Sequence, residues 1–234
     1  LGVGYEELRK VNPRLIYCSV TGYGQSGPMA ELPGYDGLFQ AIGGMMAVTG
    51  IPEGQAGAGP LKTGPSLVDY VTGHNTALAI MGALMYRERT GEGQSIDIAL
   101  LDSSVAMVSH IMQDYLISGN PPPRLGNGGN GGGPADLIYC SDGVIYLTAG
   151  TDEHWRRLTV VMEQPELNDD PRFDSNLKRG KTNRAELMDI INTWSRQFST
   201  SDVQAKLDGA GIPAAQYNEL ADVWEVPQVK HRGL

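Results

Sequence analysis

Asp69 is the residue whose type and setting could carry the most chemistry, in the stretch Gly64-Pro-Ser-Leu-Val-Asp69-Tyr-Val-Thr-Gly-His74. If the chain is catalytic, Asp69 is its strongest candidate nucleophile, since a carboxylate can form a covalent intermediate that divides one difficult step into easier ones. The segment from Ser66 to about Arg89 has no proline, is rich in Ala, Leu and Met, and meets its stop at Gly91. That pattern predicts one buried helix with Asp69 in its first turn. A plainer role fits the same residues: Ser66-x-x-Asp69 matches a capping box, in which the carboxylate reaches back to a free backbone N–H. The two roles are compatible, because the positive end of a helix favours an ionised carboxylate.

Other chemistries have less support. His74, His110, His154 and His231 show no metal-ligand spacing with a carboxylate, so no metal site is expected. His74 follows Asp69 by about one and a half helical turns and so faces away from it, which makes it a packed or surface histidine rather than a base. There is no Gly-x-Ser-x-Gly elbow, and neither Cys18 nor Cys140 has a CxxC partner or a neighbouring histidine. Both cysteines read as buried, reduced thiols, from which a cytoplasmic location is expected. Gly126-x-Gly128-x-x-Gly131 formally matches a dinucleotide fingerprint, but it follows Pro121-Pro-Pro123 and precedes a strand, the wrong context for a helix N-terminus on a pyrophosphate. The glycine run reads either as a flexible linker or as a hinged lid.

The elements that must position these residues are legible in outline. Leu15–Val20 is a short buried strand, followed by a loop at Thr21-Gly-Tyr-Gly-Gln-Ser-Gly-Pro28. A helix is predicted from Tyr35 or Asp36 through Leu38, Phe39, Ile42, Met45 and Met46 on one face. Residues 50–65 form a Gly/Pro/Ala-rich loop, Ser95–Leu100 a strand, and Leu101–Leu116 a helix. Beyond the proline and glycine run, Leu137–Cys140 and Gly143–Thr148 predict a hairpin around Ser141-Asp142-Gly143. Helices are then expected at Glu153–Val161, Arg184–Gln197 and Ser201–Ala210, with a short strand and a frayed turn in the tail.

With 234 residues, 41% of them hydrophobic, the chain can bury a substantial core. A net charge of −9 and the lack of any Lys/Arg run argue against nucleic acid as a partner. No apolar run reaches about 18 residues, so no membrane span is expected. The opening residues already read as a helix end, a turn and a strand, which suggests an internal piece of a longer polypeptide.

Several blocks, taken together and in order, carry a resemblance. They are Asn12-Pro-Arg-Leu-Ile-Tyr, Gly22-Tyr-Gly, Gly34-Tyr35-Asp36, Gln40-Ala-x-Gly-Gly, Asp69-x-x-x-Gly73, Thr90-Gly-Glu-Gly-Gln94 and Arg124-x-Gly-Asn127. The chain resembles the class III CoA-transferases, a family that also contains α-methylacyl-CoA racemases. The resemblance implies a two-domain α/β fold: residues 1–120 form part of a Rossmann-like large domain with the catalytic helix, and 121–136 a glycine-rich linker or lid. Residues 137–218 would form a small α+β domain, and 219–234 the start of a return to the large domain. It further implies that Asp69 is the nucleophile, that Pro33, Gly34, Tyr35 and Asp36 contact CoA, and that Gly131, Gly132 and Gly133 are a lid whose N–H groups face developing oxyanions. Read locally, Tyr35 could equally be core aromatic surface and Asp36 a helix cap.

The racemases are similar but carry histidine where this chain has Tyr35, because proton transfer at an α-carbon needs two acid/base groups. A phenol serves poorly for that at neutral pH, so the resemblance favours transfer. It implies no permanently bound cofactor, a coenzyme A thioester and small carboxylic acids as substrates, and an interlocked homodimer. A non-catalytic CoA-binding protein of the same fold is the alternative from another class.

Overall fold

A computed structural model describes residues 2–129 and 132–234. The chain divides into two compact units, one ending at Gly126 and one beginning at Asn127.

The first unit contains helix α1 (Tyr5–Val11), strand β1 (Ile16–Thr21), helices α2 (Asp36–Ile42) and α3 (Met45–Val48), and a small hairpin of β2 (Gly50–Ile51) and β3 (Gly59–Pro60). Helix α4 (Leu67–Thr90), strand β4 (Gln94–Ala99), and helices α5 (Leu100–Met107) and α6 (Ser109–Ser118) complete it. Strands β1 and β4 pair in parallel, from Ile16 opposite Gln94 to Thr21 opposite Ala99. Helix α4 packs against this pair and against α2 and α5.

The turn between α4 and β4 is dictated by a close approach of two backbones. Gly91, at φ +80°, ends the helix and donates its N–H to Arg87 O at 2.8 Å. Gly93 has no room for a side chain, because a Cβ there would lie 1.9 Å from Leu15 O. Its N–H donates to Pro13 O at 2.8 Å, which brings the start of β4 beside β1.

Three helix expectations need correction. The helix predicted through Met46 stops at Ile42, because a Cβ at Gly43 would lie 2.1 Å from Ser104 Oγ and Gly44 sits at φ +92°. Phe39 and Met45 are consequently buried, whereas Leu38 and Ile42 are exposed. The helix predicted over Leu101–Leu116 is broken at Val108, which separates α5 from α6. Helix α4 is not a buried helix: Val68, Thr72 and Ala83 are buried, but Tyr70, Leu78, Met81, Met85 and Tyr86 are exposed. The sheet pair, α2 and α5 are its main packing partners in this unit, and they leave much of its circumference uncovered.

The second unit is built on an antiparallel sheet of β5 (Ala135–Tyr139), β6 (Val144–Thr148) and β7 (Ala214–Gln216), in that order. Helices α7 (Asp152–Val161), α8 (Arg184–Ser195) and α9 (Thr200–Gly209) pack on it, and α10 (Pro227–Arg232) lies in the tail where only a strand and a turn were expected. Its core joins Ile138, Ile145 and Leu147 to Leu158, Leu187 and Leu207 from the helices. Each such side chain, fully withdrawn from water, contributes about 1.5–3 kcal/mol. Two of these helices are capped locally: Thr151 Oγ1 accepts the His154 N–H and Ser199 Oγ the Asp202 N–H.

Cys18 and Cys140 are free and half-buried, not fully buried as expected. Burial raises both thiol pKa values, helped by the carboxylates of Asp97 and Asp142 respectively. Among the described residues no helix is long and apolar enough to cross a membrane.

Candidate active site

The site is organised by α2, and α2 is placed by one aromatic ring. Phe39 is wholly buried between two glycines: a Cβ on Gly34 would stand 2.2 Å from its Cζ, and a Cβ on Gly22 2.7 Å from the same atom. Tyr23 meets the ring edge-on at 5.0 Å, and Ser104 Oγ donates to Phe39 O at 2.7 Å. The Gly22-Tyr-Gly and Gly34-Tyr-Asp motifs are thus two walls of one socket. Seating Phe39 in it sets where Asp36, one helical turn earlier on α2, can reach.

Asp36 reaches the start of α4. Its Oδ1 accepts the backbone N–H of Val68 at 2.8 Å and of Asp69 at 3.3 Å. Ser66, the expected cap, makes no side-chain capping bond, so the capping box read from Ser66-x-x-Asp69 does not form. The free N–H groups are satisfied by a carboxylate from another helix, which does the work of an N-cap from more than thirty residues away. Asp36 Oδ2 accepts from Gln40 Nε2 at 2.7 Å, and Gln40 Oε1 accepts the Thr63 N–H at 2.9 Å. Asp36 is 8% exposed and Gln40 is completely buried.

Asp69 is left with different work. It is the third residue of α4 and is exposed. Among the described residues its carboxylate has no hydrogen bond or ion pair, so both oxygens stay open to a reacting carbon. Lys62, in the approach to the helix, donates from Nζ to Thr63 O at 3.0 Å and to Gly64 O at 3.4 Å, and no described carboxylate pairs with it.

Of the sequence-predicted residues of the first unit, Asp36 is the one bonded to this helix end. Tyr35 precedes α2 in extended conformation and is 80% exposed, so it is not core aromatic surface. Pro33 is exposed and Gly34 half-buried against Phe39. Asp36, grouped with them as a CoA contact, has both oxygens engaged by protein donors. His74 is exposed on α4. Gln40 had no role assigned from sequence, although a polar pair at i and i+4, Asp36 and Gln40, on a helix that also buries Phe39 was a usable signal.

The glycine segment belongs to the second unit. Gly131 lies outside the described residues. Gly132, at φ +143°, is packed so closely on Asn176 that a Cβ would lie 2.1 Å from its Oδ1, and the same oxygen accepts the Gly133 N–H at 2.7 Å. Arg179, 1% exposed, donates to Gly133 O at 3.2 Å and Phe173 O at 2.9 Å, pairs with Asp152, and lies over the Trp155 ring. Gly132 and Gly133 are therefore anchored, and the N–H of Gly133 is committed to Asn176 rather than free for an oxyanion.

A family model described as CoA-transferase family III matches residues 1–234, and the chain belongs to that family. It is 39% identical over 233 residues to a succinate–glutarate CoA-transferase of Agrobacterium fabrum, covering 100% of this chain and 57% of that protein. It is 35% identical to an acetyl-CoA:oxalate CoA-transferase of Acetobacter aceti, covering 100% and 59%. Among solved structures, a CAIB/BAIF family protein from Brucella suis superposes with a TM-score of 0.85 at 39% identity, covering 99% of this chain and 60% of that one. Mixed helix and strand content and the fold of that family are thereby established. The chain spans a little over half the length of the curated relatives it matches.

Proposed function

We propose that the protein carrying this chain is a CoA-transferase that moves CoA from an acyl-CoA thioester to a carboxylic acid, with Asp69 as nucleophile. An Asp69 carboxylate oxygen attacks the thioester carbonyl, the C–S bond breaks, and CoA leaves as thiolate from a mixed anhydride. The thiolate then attacks the Asp69 carbonyl, releasing the donor acid and leaving an aspartyl-CoA thioester. The acceptor carboxylate attacks that thioester and reverses the sequence, restoring the Asp69 carboxylate. A thiolate is a competent leaving group, and covalent capture divides the transfer into low steps. Water must be excluded, since it would hydrolyse the anhydride.

The observation that carries this reading is the open carboxylate of Asp69, unpaired among the described residues, on a helix end where Asp36 accepts the N–H groups of Val68 and Asp69. Relatives named for succinate, glutarate and oxalate support small dicarboxylic acids as substrates. In the same reading Pro33, Gly34 and Tyr35 contact CoA. The full-length protein works as an interlocked homodimer in the cytoplasm without a bound cofactor. Tyr35 supports transfer over racemisation.

The test is to incubate the full-length protein with succinyl-CoA and hydroxylamine and to seek a hydroxamate at Asp69 by peptide mass spectrometry. Asp69→Ala should abolish both the adduct and CoA exchange between succinyl-CoA and glutarate. Full exchange in that variant would overturn the assignment.

A further inference from the structure

We infer that Gln40 is a positioning residue for the nucleophile: with Asp36 it grips the Asp69-bearing segment at both ends. The inference rests on the reading of Asp69 as nucleophile. Asp36 and Gln40 stand one turn apart on α2. Gln40 holds the entry of the segment through the Thr63 N–H, at 2.9 Å. Asp36 holds its exit through the N–H groups of Val68 and Asp69. The 2.7 Å bond between Gln40 Nε2 and Asp36 Oδ2 closes the brace.

The segment's own bonds are short-range, from Lys62 Nζ to Thr63 O and Gly64 O, from Thr63 Oγ1 to Pro65 O at 3.0 Å and from the Leu67 N–H to Pro65 O at 2.8 Å, and none of them ties it to α2. Gly64 has open space around it, Pro65 has no N–H to donate, and Ser66 does not cap the helix. Gln40 satisfies both ends of this bridge: its oxygen faces a donor and its NH2 faces a carboxylate, so its amide orientation is fixed by both partners at once. No atom of Gln40 is exposed, so it acts through Asp36 and the backbone and touches no substrate. A nucleophile displaced by about 1 Å loses on the order of 100-fold in rate, and this is what the brace prevents.

Gln40→Glu in the full-length protein separates positioning from folding. A protonated Glu keeps both bonds, donating to Asp36 Oδ2 and accepting from the Thr63 N–H. An ionised Glu places two carboxylates side by side, which raises the pKa of the pair above the ordinary carboxylate range. The expected result is that kcat for succinyl-CoA:glutarate exchange falls at least tenfold as pH rises between about 5 and 8, a fall absent from the parent protein, while KM for succinyl-CoA changes less than about twofold. Gln40→Leu, which can make neither bond, should show the low kcat at every pH. The inference is overturned if the Gln40→Glu profile superimposes on that of the parent. It is equally overturned if a folded Gln40→Leu variant keeps its kcat. Asp69→Ala, assayed in parallel, distinguishes the two failures: an inactive Asp69→Ala beside unaffected Gln40 variants sinks only the brace, whereas an active Asp69→Ala sinks the nucleophile and the brace with it.

Discussion

The backbone N–H of Asp69 donates to the Oδ1 of Asp36 at 3.3 Å, so the carboxylate that secures the start of α4 and the carboxylate that projects from it belong to different residues. One is buried and bonded through both oxygens; the other is exposed and, among the described residues, unpaired. Because the helix N–H groups take their acceptor from Asp36, neither Asp69 oxygen is drawn into capping its own helix. The division of labour has consequences that mutation can separate.

Asp36→Ala removes the acceptor of three N–H groups, those of Val68, Asp69 and the Gln40 amide. Leaving such donors unpaired in a buried place costs about 1–3 kcal/mol. The urea midpoint should fall by the corresponding amount with an unchanged slope. Asp36→Asn should not restore it, since its NH2 would confront the NH2 of Gln40.

Gly34→Ala is expected to destabilise by about 1–3 kcal/mol through overpacking, because the new methyl would stand 2.2 Å from Phe39 Cζ. Adding Phe39→Leu removes the obstructing ring atoms. The double variant should therefore be more stable than the sum of the two single changes predicts, a coupling that thermal or urea denaturation would measure.

In the second unit, hydrogen bonds from the Arg172 side chain and backbone hold the Asp170 carboxyl down at about 2. A group whose folded pKa is depressed stabilises the fold above its unfolded value of about 3.9. That contribution is lost as pH falls through about 2. A carbon-detected NMR titration should find the Asp170 midpoint near the low value, and Arg172→Ala should return it toward the ordinary carboxylate range.

The parts of the fold that were legible in the sequence are those set by local chemistry. Gly91 ends α4 at the stop read from the sequence, and Ser141-Asp142-Gly143 turns the β5–β6 hairpin. Positions governed by distant partners were not legible. Val108 interrupts a helix without a glycine or proline to announce it, and Ser66 matches a capping pattern that is overridden by a carboxylate from α2. Asp69 stood out because its residue type and position are visible in one segment. Gln40 did not, because its i, i+4 pairing with Asp36 gains its meaning only from Thr63, which meets it in the folded first unit.

The socket around Phe39 carries a lesson for anyone scanning this protein by mutation. Gly22 reaches no substrate in the proposed chemistry, yet any side chain there displaces the ring that sets α2, and with it the aspartate and glutamine beneath the nucleophile. An activity screen would score Gly22 as essential, and a map of intolerant positions would draw the active site larger than the surface a substrate ever meets. Pairing each activity reading with a stability reading would shrink the outline to its true edge.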